Sequence, residues 1–565
     1  MDLERIKNIH RMYQNKAYVD AEIGIRNLLK EAPNNSDVLR LGALTALRLN
    51  QVVTAQSRHM KAAQFCKTTA EMENTLGNIL KAAGEWSQAE EAYKRSIILD
   101  STYEPVRSNL IALFLISGQV KRAEVEIKRQ EELYGVNDFF MFARASALIE
   151  MGRYDDALNY TDKISKSYNL EELSKLRVKL YFYLGRYGDM RKALESIPET
   201  SMHAKDSLAI AVNAYAMQGD WIQAHEAIKF FCEKPNALPQ ILVKSIELLD
   251  RGGFTDDAKS LRNDAQSRFN GHVDILSEKA KYFSNQGHYS DSCALYKEAL
   301  SKRPGDFTLI TNYARSCLSA GQFDLCQQLI QSAFQQAPNS QLLFAMAAAL
   351  QRKRGGHYQT LYDYDNFIQV YDLLPPDGYQ TVEGFNLELK KTLEEYHNFK
   401  SEPLNQSLRH GIQTDKDLSL IDDPVLNSFF KMIDKPILDY MKKIGYDPQH
   451  PMKRRNTNQY RINGAWSVQL SPQGHHVNHI HPMGWLSSSY YVDVPDVARG
   501  SEDREGWIKF GEPDIQGLNL EAEKYIEPKG GRLVLFPSYM WHGTIPFSGN
   551  QTRLTLPFDV VPVNG

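Results

Sequence analysis

The chain has 565 residues, and its 66 basic and 69 acidic side chains leave a net charge of −3, with hydrophobic residues at 42%. That balance gives no electrostatic reason to expect nucleic acid or an anionic membrane as a partner. The opening Met1-Asp2-Leu3-Glu4-Arg5-Ile6-Lys7 lacks the apolar core of a secretory signal, and the longest apolar run, Leu110 to Ile116, is too short to span a bilayer. The expectation is a soluble, cytoplasmic protein with no nucleic-acid or membrane partner. Five cysteines (Cys66, Cys232, Cys293, Cys317 and Cys326) show no Cys-x-x-Cys spacing, as expected of reduced thiols.

A turn signature recurs through residues 1–350: a small or polar residue, then an aromatic residue or Val two positions on, and a small residue, mostly Ala, five positions on. Its first positions are Lys16, Asn50, Gly84, Gly118, Gly152, Gly185, Gly219, Gly253, Gly287 and Gly321, with one step of 33 residues and the rest of 34. Pro33, Pro304 and Pro338 share a phase seventeen residues past the turn, where a second helix should stop. A helix-turn-helix period of 34 with Gly-x-aromatic turns is the tetratricopeptide pattern. It predicts an all-α solenoid of about ten repeats, each burying its face against its neighbours and together leaving a groove. Trp, Tyr and Leu there read as inter-repeat core.

Periodicity fades after Leu350. Arg352-Lys353-Arg354-Gly355-Gly356 and Pro375-Pro376 bound a connecting segment, 351–375, in which Leu361 to Leu373 reads as a last helix. From 376 to 565 a second domain is expected, with amphipathic helices at Asn386 to Phe399 and Pro424 to Ile444, then, beyond Arg455, alternating aromatic stretches broken by Gly and Pro, as in short antiparallel strands. Helices would buttress a β-helix or barrel.

The chemistry concentrates between His479 and Arg553. Of 15 histidines, four (His475, His476, His479 and His481) fall within seven residues. At strand spacing His479 and His481 share a face and can grip one ion, with Ile480 turned away. His542, from a later strand, is the natural third ligand, and such a set leaves open positions on a metal. Eleven residues on lies Arg553, followed at strand spacing by Thr555, so a guanidinium and a hydroxyl can receive a carboxylate. Metal and clamp together suggest a chelating acid as co-substrate. His475 and His476 follow a Gln473-Gly474 turn and read as solvated, and Asp493, a possible extra carboxylate, reads as a turn residue before Pro495.

The runs "HIHPMGWLSSSYYV", "GWIKF" and "LVLFPSYMWHGTIPF…RLTLPFDVV" resemble the Fe(II)/2-oxoglutarate-dependent oxygenases, relatives of prolyl hydroxylases, that follow tetratricopeptide repeats in many proteins. The resemblance covers roughly Tyr362 to Val563 and takes in "DYDNF" and "QSLRHGIQT". It implies a double-stranded β-helix (jelly-roll or cupin-like), with Fe(II) held by an HxD or HxE pair on an early strand and a His on a late one. By that pattern His479 opens the pair, His542 is the late ligand, Arg553 takes the distal carboxylate of 2-oxoglutarate, and Tyr491 matches a co-substrate-binding Tyr. One departure is that His481 stands where many members carry a carboxylate, so the metal set becomes His479, His481 and His542. Gln406, Arg409 and Gln413 also match family positions, without an assigned role.

The reading that follows is a dioxygenase using Fe(II) and 2-oxoglutarate, hydroxylating a protein or peptide recruited by the repeats. Two competitors keep the fold: a non-catalytic scaffold with a degenerate β-helix used for binding, and a cupin-like metal enzyme that does not use 2-oxoglutarate. An intact set of His479, His542 and Arg553 argues against the first. Arg553 with Thr555 beside it argues against the second.

Overall fold

A computed structural model describes residues 3–15, 17–49, 51–165, 168–563. Lys16 and Asn50, which open two of the expected turns, lie outside the described residues. The eight turn glycines from Gly84 to Gly321 all carry φ between +67° and +81°, the left-handed region where a Cβ is strained, so glycine there ends one helix and starts the next. Two residues on, a new helix begins at each repeat, as at Trp86, Val120, Tyr187, Trp221 and Phe323. The residue five positions past each turn is 0% exposed in all ten repeats, including Met190, Ser292 and Cys326 where Ala is replaced. Small side chains let the paired helices approach, and burial of their faces stabilises each repeat. Among the described residues no helix is long and apolar enough to cross a membrane.

The chain divides into two compact units. One holds the helices up to Glu150, together with 303–310 and 331–338, and includes a core of Leu80, Tyr93, Leu110 and Phe114. The other holds Met151–Lys302, Thr311–Ile330 and the chain from Asn339 onward. Its helical core runs from Val178 to Ile275 and includes Leu404, from far along the chain. The segment around Leu404 is hydrogen-bonded to the repeats: Lys400 N donates to the Met217 carbonyl (2.9 Å), Leu404 N to Asn213 Oδ1 (2.8 Å) and Arg251 Nη1 to the Leu404 carbonyl (3.0 Å). Phe399 stacks on Phe182 at 6.1 Å between ring centroids. Repeats and strand domain therefore share buried side chains in this unit.

Among the described residues eleven strands follow: β1 (Gln369–Asp372), β2 (Leu408–Gln413), β3 (Tyr460–Ala465), β4 (Val468–His476), β5 (Leu486–Asp493), β6 (Ile508–Phe510), β7 (Lys524–Ile526), β8 (Arg532–Pro537), β9 (His542–Thr544), β10 (Arg553–Thr555) and β11 (Phe558–Pro562). Every pairing is antiparallel. Eight form one sheet, ordered β1-β8-β5-β10-β4-β2 with β11 bridging β3 and β5, and three form a smaller sheet, β7-β6-β9. An all-α repeat solenoid is thus followed by an antiparallel β domain of double-stranded β-helix type. Helix Val382–Glu394 buttresses β5, Tyr490 Oη donating to Asn386 Oδ1 at 2.7 Å, and helix Pro424–Ile444 adds Phe429, 5.0 Å from the Tyr490 ring.

Two local expectations change. Leu361 to Leu373 is not a helix: only Tyr364–Phe367 is helical, and Gln369–Asp372 instead pairs with β8, Gln369 opposite Leu535. The helix expected at Asn386 to Phe399 runs from Val382 to Glu394, because Thr381 Oγ1 caps it by accepting from Gly384 N at 3.0 Å. Phe399 is left free to dock on the repeats.

Candidate metal centre

His479 and His542 face each other across an isolated antiparallel bridge, His479 N donating to the His542 carbonyl at 2.8 Å and His542 N to the His479 carbonyl at 3.0 Å. His479 and His481 are not part of a ladder strand, but the chain stays extended there. His481 N donates to the Ser538 carbonyl at 3.0 Å, so both imidazoles turn to one side as the spacing predicts. One ligating nitrogen of each of His479, His481 and His542 lies within 4.8 Å of the others, and the Nε2 atoms of His479 and His481 are 3.2 Å apart.

The other ring nitrogen of each histidine is committed. His479 Nδ1 donates to the Val477 carbonyl at 2.8 Å and His542 Nδ1 to the Met540 carbonyl at 2.9 Å. His481 Nδ1 meets both oxygens of Asp559, at 2.7 and 2.8 Å. This fixes each ring and leaves its Nε2 available to an ion. Burial, with the neighbouring His481 as a lesser cause, pushes His479 down to about 3, and burial also holds His542 well below the usual range. Both rings are therefore neutral at physiological pH, as a ligand must be.

The three imidazoles open into a cavity of about 270 Å³, walled by Ser489, Arg553 and Thr555 from the larger sheet and Ile508 and Thr544 from the smaller. Arg553 is 2% exposed, and its Nη1 donates to the Gly506 carbonyl at 2.8 Å. Arg553 Nε has no hydrogen-bond partner among the described residues, and no carboxylate pairs with the guanidinium. Tyr491 is buried beside it, ring centre 6.0 Å from the guanidinium carbon, with the Ser489 side chain next to its hydroxyl. Burial raises the Tyr491 pKa and lowers that of Arg553. Among the described residues Thr555 Oγ1 reaches only the Val468 carbonyl, at 3.5 Å. A buried guanidinium with an unpartnered Nε, beside three convergent imidazoles, fits Fe(II) and an anionic chelating acid; an apolar ligand would leave the guanidinium unpaired.

Gln406 and Gln413 line this cavity, whereas Arg409 donates to backbone carbonyls of Gln406 and Leu408 elsewhere. Asp493 ends β5 and accepts from Lys390 Nζ at 2.7 Å, away from the imidazoles. His475 is solvated as expected, but His476 is not. It lines the cavity, its ring stacks 5.8 Å from His479, and Ser407 Oγ lies 2.9 Å from His476 Nδ1 and 3.2 Å from His479 Nε2. The cause is that Gln473-Gly474 does not turn the chain: Gln473 takes φ +65° inside β4, and the register slips between Arg409 and Gly411 on β2, so the strand continues to His476. Asp559 was not read from the sequence, although the alternation Arg553, Thr555, Pro557, Asp559 along the cavity wall points to it.

Residues 464–559 match the family described as "Putative 2OG-Fe(II) oxygenase", and residues 285–350 match the tetratricopeptide repeat. No curated protein sequence matches the chain. Among solved structures, a Pseudomonas aeruginosa PilF is 16% identical, covering 41% of this chain and 96% of that one at a TM-score of 0.28. The Cut9–Hcn1 hetero-tetramer of the APC/C is 12% identical over 62% of this chain and 83% of that one (TM-score 0.26), and a Pseudomonas putida prolyl-4-hydroxylase is 15% identical over 36% and 98% (TM-score 0.25). Tetratricopeptide repeats and, C-terminal to them, a domain of the 2OG-Fe(II) oxygenase family are thus joined in one chain.

Proposed function

We propose that the strand domain is an Fe(II)- and 2-oxoglutarate-dependent dioxygenase that hydroxylates a protein or peptide recruited by the repeats. The observation that carries this reading is the shared cavity: three convergent imidazoles and, on the same walls, a buried guanidinium with no carboxylate of its own. His479, His481 and His542 would hold Fe(II). Arg553, with Thr555 and the Tyr491 hydroxyl, would take the carboxylate of 2-oxoglutarate furthest from the metal. When bound, Fe(II) with 2-oxoglutarate supplies oxidative decarboxylation coupled to hydroxylation of a C–H bond. The chain's own contribution is orientation and exclusion of water. Three Nδ1 hydrogen bonds fix the imidazoles, and the walls keep the guanidinium dry, which strengthens its grip on an anion.

Recruitment by the repeats is supported by the segment from Lys400 to Ser407, which is bonded to the repeats at one end and touches His476 and His479 through Ser407 at the other. The five cysteines are free, which favours a reducing compartment, and we assign the enzyme to the cytoplasm. Anaerobic titration of the full chain with Fe(II) and then 2-oxoglutarate, followed by visible absorbance, tests the reading. A weak metal-to-ligand band should grow with the acid and saturate at one equivalent. Iron binding without any such band would leave a metal protein that does not chelate 2-oxoglutarate.

A further inference from the structure

We propose that Asp559 is a fourth member of this centre, a positioning residue that supplies, one hydrogen bond behind His481, the negative charge that three imidazoles lack. The inference rests on the metal reading above. It starts from an asymmetry: two of the imidazoles donate their Nδ1 proton to neutral peptide carbonyls, and His481 alone donates to a carboxylate, at 2.7 and 2.8 Å. Asp559 is 9% exposed, and among the described residues no Lys or Arg forms an ion pair with it. A carboxylate so enclosed is costly unless a positive charge lies near. The chain offers none except through His481, so a dication on the far side of that ring is the missing counter-charge.

The commoner set for Fe(II) in oxygenases is two imidazoles and one carboxylate, which places one negative charge directly on the metal. Here the imidazole of His481 occupies the ligand position, and the charge stands behind it. A carboxylate accepting the Nδ1 proton makes the opposite nitrogen a stronger donor and fixes the ring. The enclosure is built for this. Ser487 Oγ donates to Asp559 Oδ1 at 2.7 Å and lies 2.8 Å from Ser538 Oγ, and β11 sets Asp559 opposite Ser487 on β5. A Cβ on Gly484 would come within 2.3 Å of Ser538 Oγ and 3.3 Å of Asp559 Cγ, so no larger residue fits beside the pair.

This arrangement reverses a simple expectation. Counting ligands, H481D looks like a repair, because it restores two imidazoles and a carboxylate. With Asp559 in place, it sets two carboxylates against each other in a closed pocket, where like charges repel. H481D should therefore bind metal more weakly than the natural chain, and H481D/D559N should bind more tightly than H481D alone, since the Asn amide can donate to the new carboxylate.

The test is anaerobic titration of the full-length chain with Co(II) alone, reading affinity and the visible ligand-field band, for the natural chain, D559N, H481D and H481D/D559N. D559N should lose about 10–100-fold in Co(II) affinity, the usual cost of removing such an outer partner, while the band keeps its nitrogen-ligand character. S487A, which removes one hydrogen bond from Asp559 and spares the fold, should show a smaller loss and serves if D559N does not fold. A merely structural role would lower melting temperature without coupling the two positions, so losses that simply add in the double variant overturn the proposal. So does a D559N chain, or S487A in its place, that binds Co(II) like the natural one, and so does H481D binding as tightly. If the natural chain binds no Co(II), the metal reading itself falls; if it binds but Asp559 has no effect, only this inference does.

Discussion

Arg262 in the repeats and Arg553 in the strand domain are both buried, at 6% and 2% exposure, but their surroundings are opposite. Arg262 donates from Nε to Glu278 and from Nη2 to Asp250, each at 2.7 Å, and its guanidinium stands 4.2 Å from the centre of the Tyr282 ring. Burial works against its charge, but Glu278 and Asp250 outweigh it and hold the pKa above the ordinary value. Arg553 has the Gly506 carbonyl and no carboxylate, and burial pulls its pKa down. The first arginine completes a structure that needs nothing more. The second leaves a buried cation without a carboxylate on a cavity wall, which costs stability and, on the function proposed above, keeps it open to an anion.

The comparison breaks at once if the cavity binds nothing. H479A or H542A should lose Fe(II) by more than the roughly 10–100-fold that removal of an outer partner costs, with the helical signal of the repeats unchanged. Metal content after anaerobic loading and desalting reads this directly, and equal content in variant and natural chain refutes the ligand set.

Exchanging the two arginines for Met sharpens the contrast in stability. R262M leaves Glu278, itself 8% exposed, buried without its cation and should cost about 3–5 kcal/mol in urea unfolding. R553M orphans no carboxylate, so the ligand-free chain should lose less than half of that. Similar losses for both would mean that Arg553 has a structural anion after all. On the ligand side, R553K replaces a two-pronged donor with a point charge and should weaken 2-oxoglutarate by about 2–5 kcal/mol, or roughly 30-fold to several thousand-fold, with Fe(II) affinity unchanged.

His397 gives a control outside the cavity. Burial pushes it down to about 4, and its Nε2 lies 2.9 Å from Ser467 Oγ. An unfolded chain takes up this proton near pH 6.5, whereas the folded one resists until about 4, so stability is full above 6.5 and falls as pH drops through that window. The loss should reach up to about 3 kcal/mol at the acid end. H397Q should flatten the slope of urea midpoint against pH between those limits, and should do so equally with and without metal. An unchanged slope would show that another group governs the acid response.

What could be read in advance follows the range of the interactions. The repeat turns were legible because a glycine at positive φ and a fully buried small residue are local demands, renewed every 34 residues or so from Gly84 to Gly321. His479 and His481 were legible for the same reason, since two-residue alternation sets a face. The strand at Gln369–Asp372 was not, because its partner β8 lies more than 150 residues away and a short run of mixed character reads as helix in isolation. His476 was misjudged because Gln473-Gly474 serves as a bulge within β4, a choice made by the pairing with β2. Asp559 sits on the legible alternation from Arg553, but its contact with His481 exists only once β11 lies against β5. The sequence also predicts a second domain from residue 376 onward, whereas Leu404 is buried among the repeats, three residues before Ser407 at the cavity. Deleting residues 1–350 would therefore strip the cover from a segment that reaches the imidazoles.

The smallest expected effect concerns Thr555. Its hydroxyl is buried on the cavity wall, and its one protein contact, the Val468 carbonyl, is at the long limit of 3.5 Å, so the group is largely uncommitted. T555V keeps the shape of the side chain and removes only the hydroxyl. Because so weak a bond is lost, stability of the ligand-free chain should change by less than about 0.5 kcal/mol. A hydroxyl donating to a carboxylate beside Arg553 adds roughly 1 kcal/mol, so 2-oxoglutarate should bind about fivefold more weakly, with Fe(II) unaffected. The order natural chain, T555V, R553K in falling affinity for 2-oxoglutarate thus measures how one anion is divided between a neutral and a charged donor on the same strand. If T555V weakens the acid as much as R553K does, the guanidinium is not its main partner, and the contrast with Arg262 loses its functional meaning.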